Sequence, residues 1–178
     1  MEMRTNDKTG HALLPALVTG TVASLASAAA LAMLARVEGK GALQPINATS
    51  HWLHGKKAAQ CDELDATHTL VGFATHFASA VFWALPFEFW RAGRQPASAK
   101  SLLRGACATS AVAAVIDYGV TPQRFTPGWE LVLSKRSMVV AYAALALGLA
   151  SGGKVVRSLT AVPGRPAKKR NGLAHPPR

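Results

Sequence analysis

The sequence predicts an all-α fold: a transmembrane helical bundle of about four spans, with a short interfacial helix in the first outer loop. Two observations carry this. Long stretches almost free of charge alternate with short segments that hold nearly all the Lys, Arg, Asp and Glu of the 178 residues, the segregation expected when charge is costly in hydrocarbon and free in loops. The apolar stretches are also long enough, at about 1.5 Å of rise per residue, to cross a core of roughly 30 Å. The mean hydropathy of +0.16 says little, because the signal is in the distribution.

The first span is predicted over 13–35, without a charged residue. Ala26–Ala28 has the look of a signal-peptidase site, but the apolar stretch exceeds the roughly 7–15 residues of a signal peptide's core, so a retained span is expected. The second covers 66–87, between Asp65 and the run Glu88, Phe89, Trp90, Arg91. Pro86 near its end is tolerable, and Trp83, Phe89 and Trp90 suit an interfacial aromatic belt. The third runs over 103–120, with Arg104 at one end and Asp117 near the other. The fourth is placed at 131–150, where Lys135 and Arg136 must snorkel unless the span starts near Ser137.

Lys and Arg number 13 in residues 1–12, the second loop and the tail, against 7 in the first and third loops. The positive-inside rule then puts both termini in the cytoplasm. The tail, 153–178, is rich in Pro, Gly, Lys and Arg and is expected to be disordered beside anionic lipid head groups. The net charge of +11 therefore points to lipid and away from nucleic acid, for which no basic sheet or polar helix is present. The other partners expected are a second copy of the chain or another membrane protein.

Small residues recur at helical spacing: Gly20, Ser24, Ser27 and Ala28; Gly105, Thr109, Ala113 and Asp117; Ala141, Ala144, Gly148 and Gly152. Such stripes let helix backbones approach where lipid removes the hydrophobic incentive to associate. On a regular helix Asp65, His68, Gly72, Thr75, His76 and Ser79 share one stripe about 100° wide, opposite Leu70, Phe77 and Val81. His76 falls near mid-membrane, where an ionisable group is a functional candidate by default. Its plainer role is a neutral imidazole bonded to a hydroxyl on another span.

Asp117, followed by Tyr118, Thr121 and Pro122, joins Asp65 and His68 at the outer surface as a candidate polar or proton-relay residue. The first loop brings Asn47, His51, Trp52 and His54, with Pro45 starting the interfacial helix and Gly55 ending it. The third adds Arg124, Phe125, Trp129 and Glu130. Imidazoles and carboxylates suit Zn²⁺ or non-haem iron, and His51, His68, His76 and Asp117 are the residues that could contribute. No metal or other cofactor is assigned, since no His-rich box or His-Glu-x-x-His is present. Cys61 and Cys107 are too few for a disulfide framework, are expected far apart, and show no metal-ligand spacing. Asn47-Ala-Thr49 matches a glycosylation sequon but is read as a loop cap.

Residues 45–53 (Pro-Ile-Asn-Ala-Thr-Ser-His-Trp-Leu), 65–76 (Asp-Ala-Thr-His-Thr-Leu-Val-Gly-Phe-Ala-Thr-His) and 117–124 (Asp-Tyr-Gly-Val-Thr-Pro-Gln-Arg) resemble small four-span proteins of proteobacterial inner membranes. The resemblance covers roughly 13–152 and implies a location in the bacterial inner membrane. It carries over no catalytic or binding residue. The expected function is that of a non-enzymatic accessory or envelope component. The alternatives are a small transporter or proton-linked conduit using His68, His76 and Asp117, and a membrane metalloenzyme with its site at the outer surface.

Overall fold

The computed structural model describes residues 3–94 and 98–160, and among them its regular elements are all helical, without a strand. Four long helices form the bundle: α1 (Met3–Val37), α4 (Val71–Ala92), α5 (Ala99–Gly119) and α6 (Lys135–Thr160). Two short ones, α2 (Gln44–Ala48) and α3 (His51–His54), lie in the first long loop. A π turn, Ala66–Leu70, runs straight into α4. The structure thus divides the predicted interfacial helix in two: Pro45 sits in the first turn of α2, and Gly55, at φ +71°, stops α3.

The fourth helix starts at Lys135 rather than Leu131, because Trp129–Leu131 forms its own 3₁₀ turn. It also continues to Thr160, so the first residues assigned to the tail are helical. The remainder of that tail, including Arg165, Lys168, Lys169, Arg170 and Arg178, lies outside the described residues. The third helix begins four residues earlier than predicted, since the Ser98 side chain accepts from the Ser101 N–H and caps it.

The topology is up-down-up-down. α1 packs most extensively against α6 and next against α4, while α5 closes the ring against α6 and α4. Small residues decide those contacts. A Cβ at Gly148 would stand 2.5 Å from Ala23 Cα, one at Gly152 2.6 Å from Thr19 Cα, and one at Gly20 2.6 Å from Val81 Cα. The Gly105 face of α5 is covered by the Trp90 ring of α4. The predicted stripes are therefore helix–helix seams.

The core joins Ala16, Ala23, Ala80, Ala84, Ala106, Ala113 and Ala141 to Leu31, Phe87, Leu102 and Leu149, with buried Thr19, Ser24, Ser27 and Ser110 among them. Leu14, Met33, Phe82, Val139, Leu147 and Leu159 point outward. A fold that buries hydroxylated and small side chains along its seams and turns this many large apolar ones outward suits lipid as its solvent. All four helices are long and apolar enough to cross a membrane.

One end of the bundle carries the two long loops, 38–65 and 120–134; the other carries the ends of α1 and α6 and the α4–α5 connection. At the loop end the loops fold onto each other. His51 Nδ1 and Nε2 each lie 3.0 Å from a carbonyl oxygen, of Ala48 and Gln123, and Arg124 Nε donates to the Trp52 carbonyl at 3.2 Å. Glu38, at the end of α1, accepts from the Ser134 N–H at 3.0 Å and from the hydroxyls of Ser134 and Ser137, clamping α1 to α6. Those bonds, chiefly the hydroxyl donors, hold its carboxyl below its ordinary value of 4.5.

Candidate functional site

A cavity of about 350 Å³ opens beneath the loop-end cap. Its walls come from every part of the cap: Trp52 from α3, His76, Ser79 and Trp83 from α4, Asp117 from α5, Phe125 and Trp129 from the second long loop, and Tyr142 from α6. Three of the four tryptophans thus surround one space. The rings run in a row, His76 to Trp129 at 5.8 Å between centroids and Trp129 to Tyr142 at 5.4 Å. Tyr142 then donates its hydroxyl proton to Asp117 Oδ2 at 2.6 Å. Trp52 Nε1 donates to Thr75 Oγ1 at 3.2 Å, which fixes the mouth of the cavity against α4.

His76 is 5% exposed. Its Nε2 lies 3.1 Å from both the Ser24 carbonyl oxygen and Ser27 Oγ. Ser27 sends its own proton to the Ala23 carbonyl at 2.7 Å. Nε2 therefore carries the ring proton and donates it to α1, which leaves Nδ1 of the neutral ring as the acceptor. The same bond removes the Ser27–His76 pair as a nucleophile and base: the hydroxyl is fully buried and its hydrogen points at a helix carbonyl. Trp129, 4% exposed, has its Nε1–H buried without a partner.

Asp65 and His68 lie elsewhere. Asp65 caps the π turn, its Oδ1 accepting from the His68 N–H at 2.6 Å and its Oδ2 from His68 Nδ1 at 2.9 Å. Those two bonds, the backbone one first, hold its carboxyl well below the usual carboxylate range. Cys61 Sγ stands 3.2 Å from the same Oδ2, and burial followed by that contact pushes the thiol up. The His54 ring lies tilted against that of His68, with centroids 4.9 Å apart.

The predicted residues therefore separate into two groups and a lone histidine. Trp52, His76 and Asp117 share the cavity; Asp65, His68 and His54 share the rim; His51 staples the loops. Of the residues expected to contribute to a metal site, His51, His76 and Asp117 do not gather. Among the described residues the group able to hold an ion is Cys61, Asp65 and His68, their ligand atoms within 4.8 Å of one another. Cys61, expected to lack metal-ligand spacing, stands in that group. The Cys61-x₃-Asp65-x₂-His68 spacing was the available signal.

Two further residues escape detection in the sequence. Tyr142, expected only as part of an apolar span, is the partner of Asp117. Glu88, expected as a flank of the second span, is 1% exposed, accepts from Thr19 Oγ1 at 2.6 Å and pairs with Arg91 Nε at 2.6 Å. This ion pair lies toward the terminal end. Between it and His76 the α1–α4 seam is closed by Gly20 on Val81.

No family model, curated protein or solved structure matches the chain. Its class is the one its own geometry defines: a four-helix bundle whose helices are each long and apolar enough to cross a membrane.

Proposed function

We propose that the chain is a non-enzymatic inner-membrane protein, both termini cytoplasmic, that holds a small and largely apolar ligand in the cavity at its outer end. The observation that carries this reading is the cavity itself. About 350 Å³ of space is lined by Trp52, Trp83, Phe125, Trp129 and Tyr142 with Ala80, Pro127 and Leu145, and its polar lining is Asp117, His76 and a few hydroxyls. Size, apolar lining and sparse polar groups are the usual attributes of a small-molecule site. An aromatic ligand with one hydroxyl fits: its ring stacks among Trp52, Trp83 and Trp129 and its hydroxyl donates to Asp117. The inner-membrane location rests on the resemblance of 45–53, 65–76 and 117–124, and the orientation on the excess of Lys and Arg on the side of the termini.

A proton conduit is disfavoured because the polar groups form two clusters, one with His76 and one with Glu88, separated by the Gly20–Val81 seam. A catalytic reading is disfavoured because the hydroxyl beside His76 is spent on a helix carbonyl.

The test uses 4-bromophenol, a flat hydroxylated quencher, titrated into detergent-purified protein. Three cavity tryptophans should give saturable quenching, with Trp90 outside the cavity as the residual signal. Losing the charged acceptor in Asp117→Asn should weaken the midpoint about tenfold. Ser79→Leu, which fills the cavity, should remove saturation. Linear quenching indistinguishable between wild type and Ser79→Leu would mean simple partitioning into micelles and would overturn the assignment. A C-terminal reporter found on the outer side would overturn the orientation.

A further inference from the structure

We propose that Cys61, Asp65 and His68, with His54 as fourth ligand, form a Zn²⁺ site at the rim of the loop end, separate from the cavity. Thiolate, carboxylate and imidazole are the donor types zinc takes, and four of them suit its tetrahedral preference. Ligands at about 2.0–2.3 Å from a tetrahedral zinc lie about 3.3–3.6 Å from each other. Two edges are already close to that: Asp65 Oδ2 to His68 Nδ1 is 2.9 Å and Asp65 Oδ2 to Cys61 Sγ is 3.2 Å. All three ligand atoms lie within 4.8 Å of one another, so small side-chain rotations admit an ion.

Capping explains only part of this cluster. A helix N-cap needs Asp65 and the His68 N–H; it needs neither a thiol at 61 nor a second imidazole. Yet the His54 ring lies tilted against His68 with its Nε2 buried and without a hydrogen-bond partner. A nitrogen in that condition costs free energy unless something binds it, and a metal ion beside His68 would do so.

The backbone around the cluster is held in advance. Asn47, fully buried, donates from Nδ2 to the carbonyls of Cys61 at 2.9 Å and Glu63 at 3.0 Å. Its Oδ1 accepts from Thr69 Oγ1 at 2.7 Å, and Thr69 Oγ1 in turn accepts from the Asp65 N–H at 3.2 Å. Gly72 admits the Ile46 carbonyl where any Cβ would collide, so α2 lies directly on α4 below the site. One residue of α2 thus positions the loop that presents two ligands, as outer-sphere partners of metal sites do.

Charge balances. Binding expels the Cys61 thiol proton to solvent, and the proton on His68 Nδ1 passes through solvent to Nε2, so the ring stays neutral. Zn²⁺, one thiolate and one carboxylate sum to zero, which suits a site where the bundle meets the membrane surface.

The experiment takes the full chain, purified in detergent without a polyhistidine tag, stripped with chelator and titrated with Zn²⁺ against a competing indicator. About one zinc per chain should bind by elemental analysis. Cys61→Ser and His68→Ala should each lose more affinity than the roughly 10–100-fold caused by loss of an outer-sphere partner. Cys107→Ser and Asp117→Asn should leave binding unchanged, which separates this site from the cavity ligand. A readout free of folding defects uses the Cys107→Ser protein: zinc should slow alkylation of Cys61, and Co²⁺ should give a thiolate charge-transfer band. Sub-stoichiometric zinc, unchanged binding in both ligand variants, or alkylation of Cys61 indifferent to zinc would each overturn the proposal.

Discussion

Replacing Arg91 by alanine strips the charged partner from Glu88, a carboxylate only 1% exposed. It keeps the Thr19 hydroxyl at 2.6 Å, one neutral donor for a full charge. Breaking a buried ion pair from one side costs about 3–5 kcal/mol, because the surviving charge stays desolvated. Here the lower end applies, because the Thr19 donor remains and the carboxylate lines a cavity of about 440 Å³ with Ala12, Pro15 and Arg91. At about 1.4 kcal/mol per power of ten, a loss near 3 kcal/mol shifts the unfolding equilibrium roughly a hundredfold. The reverse change should be milder. In Glu88→Gln the amide still accepts from Thr19, and the freed guanidinium, 12% exposed and near the helix end, can reach water along its stem; about 1 kcal/mol is expected. The pair Glu88→Gln and Arg91→Ala should then cost less than the single changes combined, with a coupling of about 1–2 kcal/mol. Unfolding in mixed micelles by increasing SDS mole fraction, monitored by helical ellipticity, measures all four proteins. An Arg91→Ala cost below about 1 kcal/mol with no coupling would refute the reasoning and mean that Glu88 is already solvated.

Three other outcomes rest on contacts of the same kind. Gly148→Ala should destabilise by about 1–3 kcal/mol, since the new Cβ meets Ala23 Cα at 2.5 Å and backbone cannot rotate away; Gly119→Ala, whose Cβ finds only Val115 at 3.9 Å, is the neutral control in the same SDS titration. Tyr142→Phe leaves Asp117 Oδ2 without its 2.6 Å donor and should cost about 1–3 kcal/mol, read from the same transition; a change under about 0.5 would show that cavity water replaces the hydroxyl. Glu38 sets an acid limb: its folded-state carboxyl titrates below 4.5, so its contribution is intact above that pH and is lost as pH falls toward the folded-state value. Thermal melts at stepped pH should show the midpoint falling below pH 4.5, and Glu38→Gln should flatten that limb, with Asp65 supplying the remainder in the same sense.

The bundle was legible because hydropathy is a coarse signal, read over twenty residues at a time, and four apolar stretches survive any error of a few positions. The ionisable members of the cavity were legible too. His76 and Asp117 stand out as titratable groups within apolar helices, and Gly20 and Gly148 as gaps in them. Their partners were not, because which helix faces which is decided by α1 lying against both α4 and α6; nothing in the order of residues says that Tyr142 reaches Asp117 or that Ser24 meets His76. Glu88 was misread for a related reason. A charge at the end of a span is normally a flank, and it is buried here because α1 lays Thr19 across it.

The polar stripe of the second span failed more instructively. Placing Asp65, His68 and His76 on one face assumes 100° per residue throughout, but Ala66–Leu70 is a π turn, which adds one residue to the turn and rotates the segment before it by about 100° relative to α4. That rotation swings Asp65 off the His76 face and against Cys61, while eight residues of helix, about 12 Å along the axis, set His68 beside His54 and apart from His76. A regular α-helix from Ala66 would have kept the imidazoles about 12 Å apart along the axis and turned Asp65 toward the His76 face, leaving the thiol alone. The π turn is thus what holds Asp65 against the thiol, and removing one residue from it, Thr67 for instance, should swing Asp65 toward the cavity face at the expense of the Cys61 contact. Cysteine alkylation reports that exchange directly: Cys61, now half-buried against Asp65, should react faster in the deletion, and an unchanged rate would mean that the turn does not set the separation.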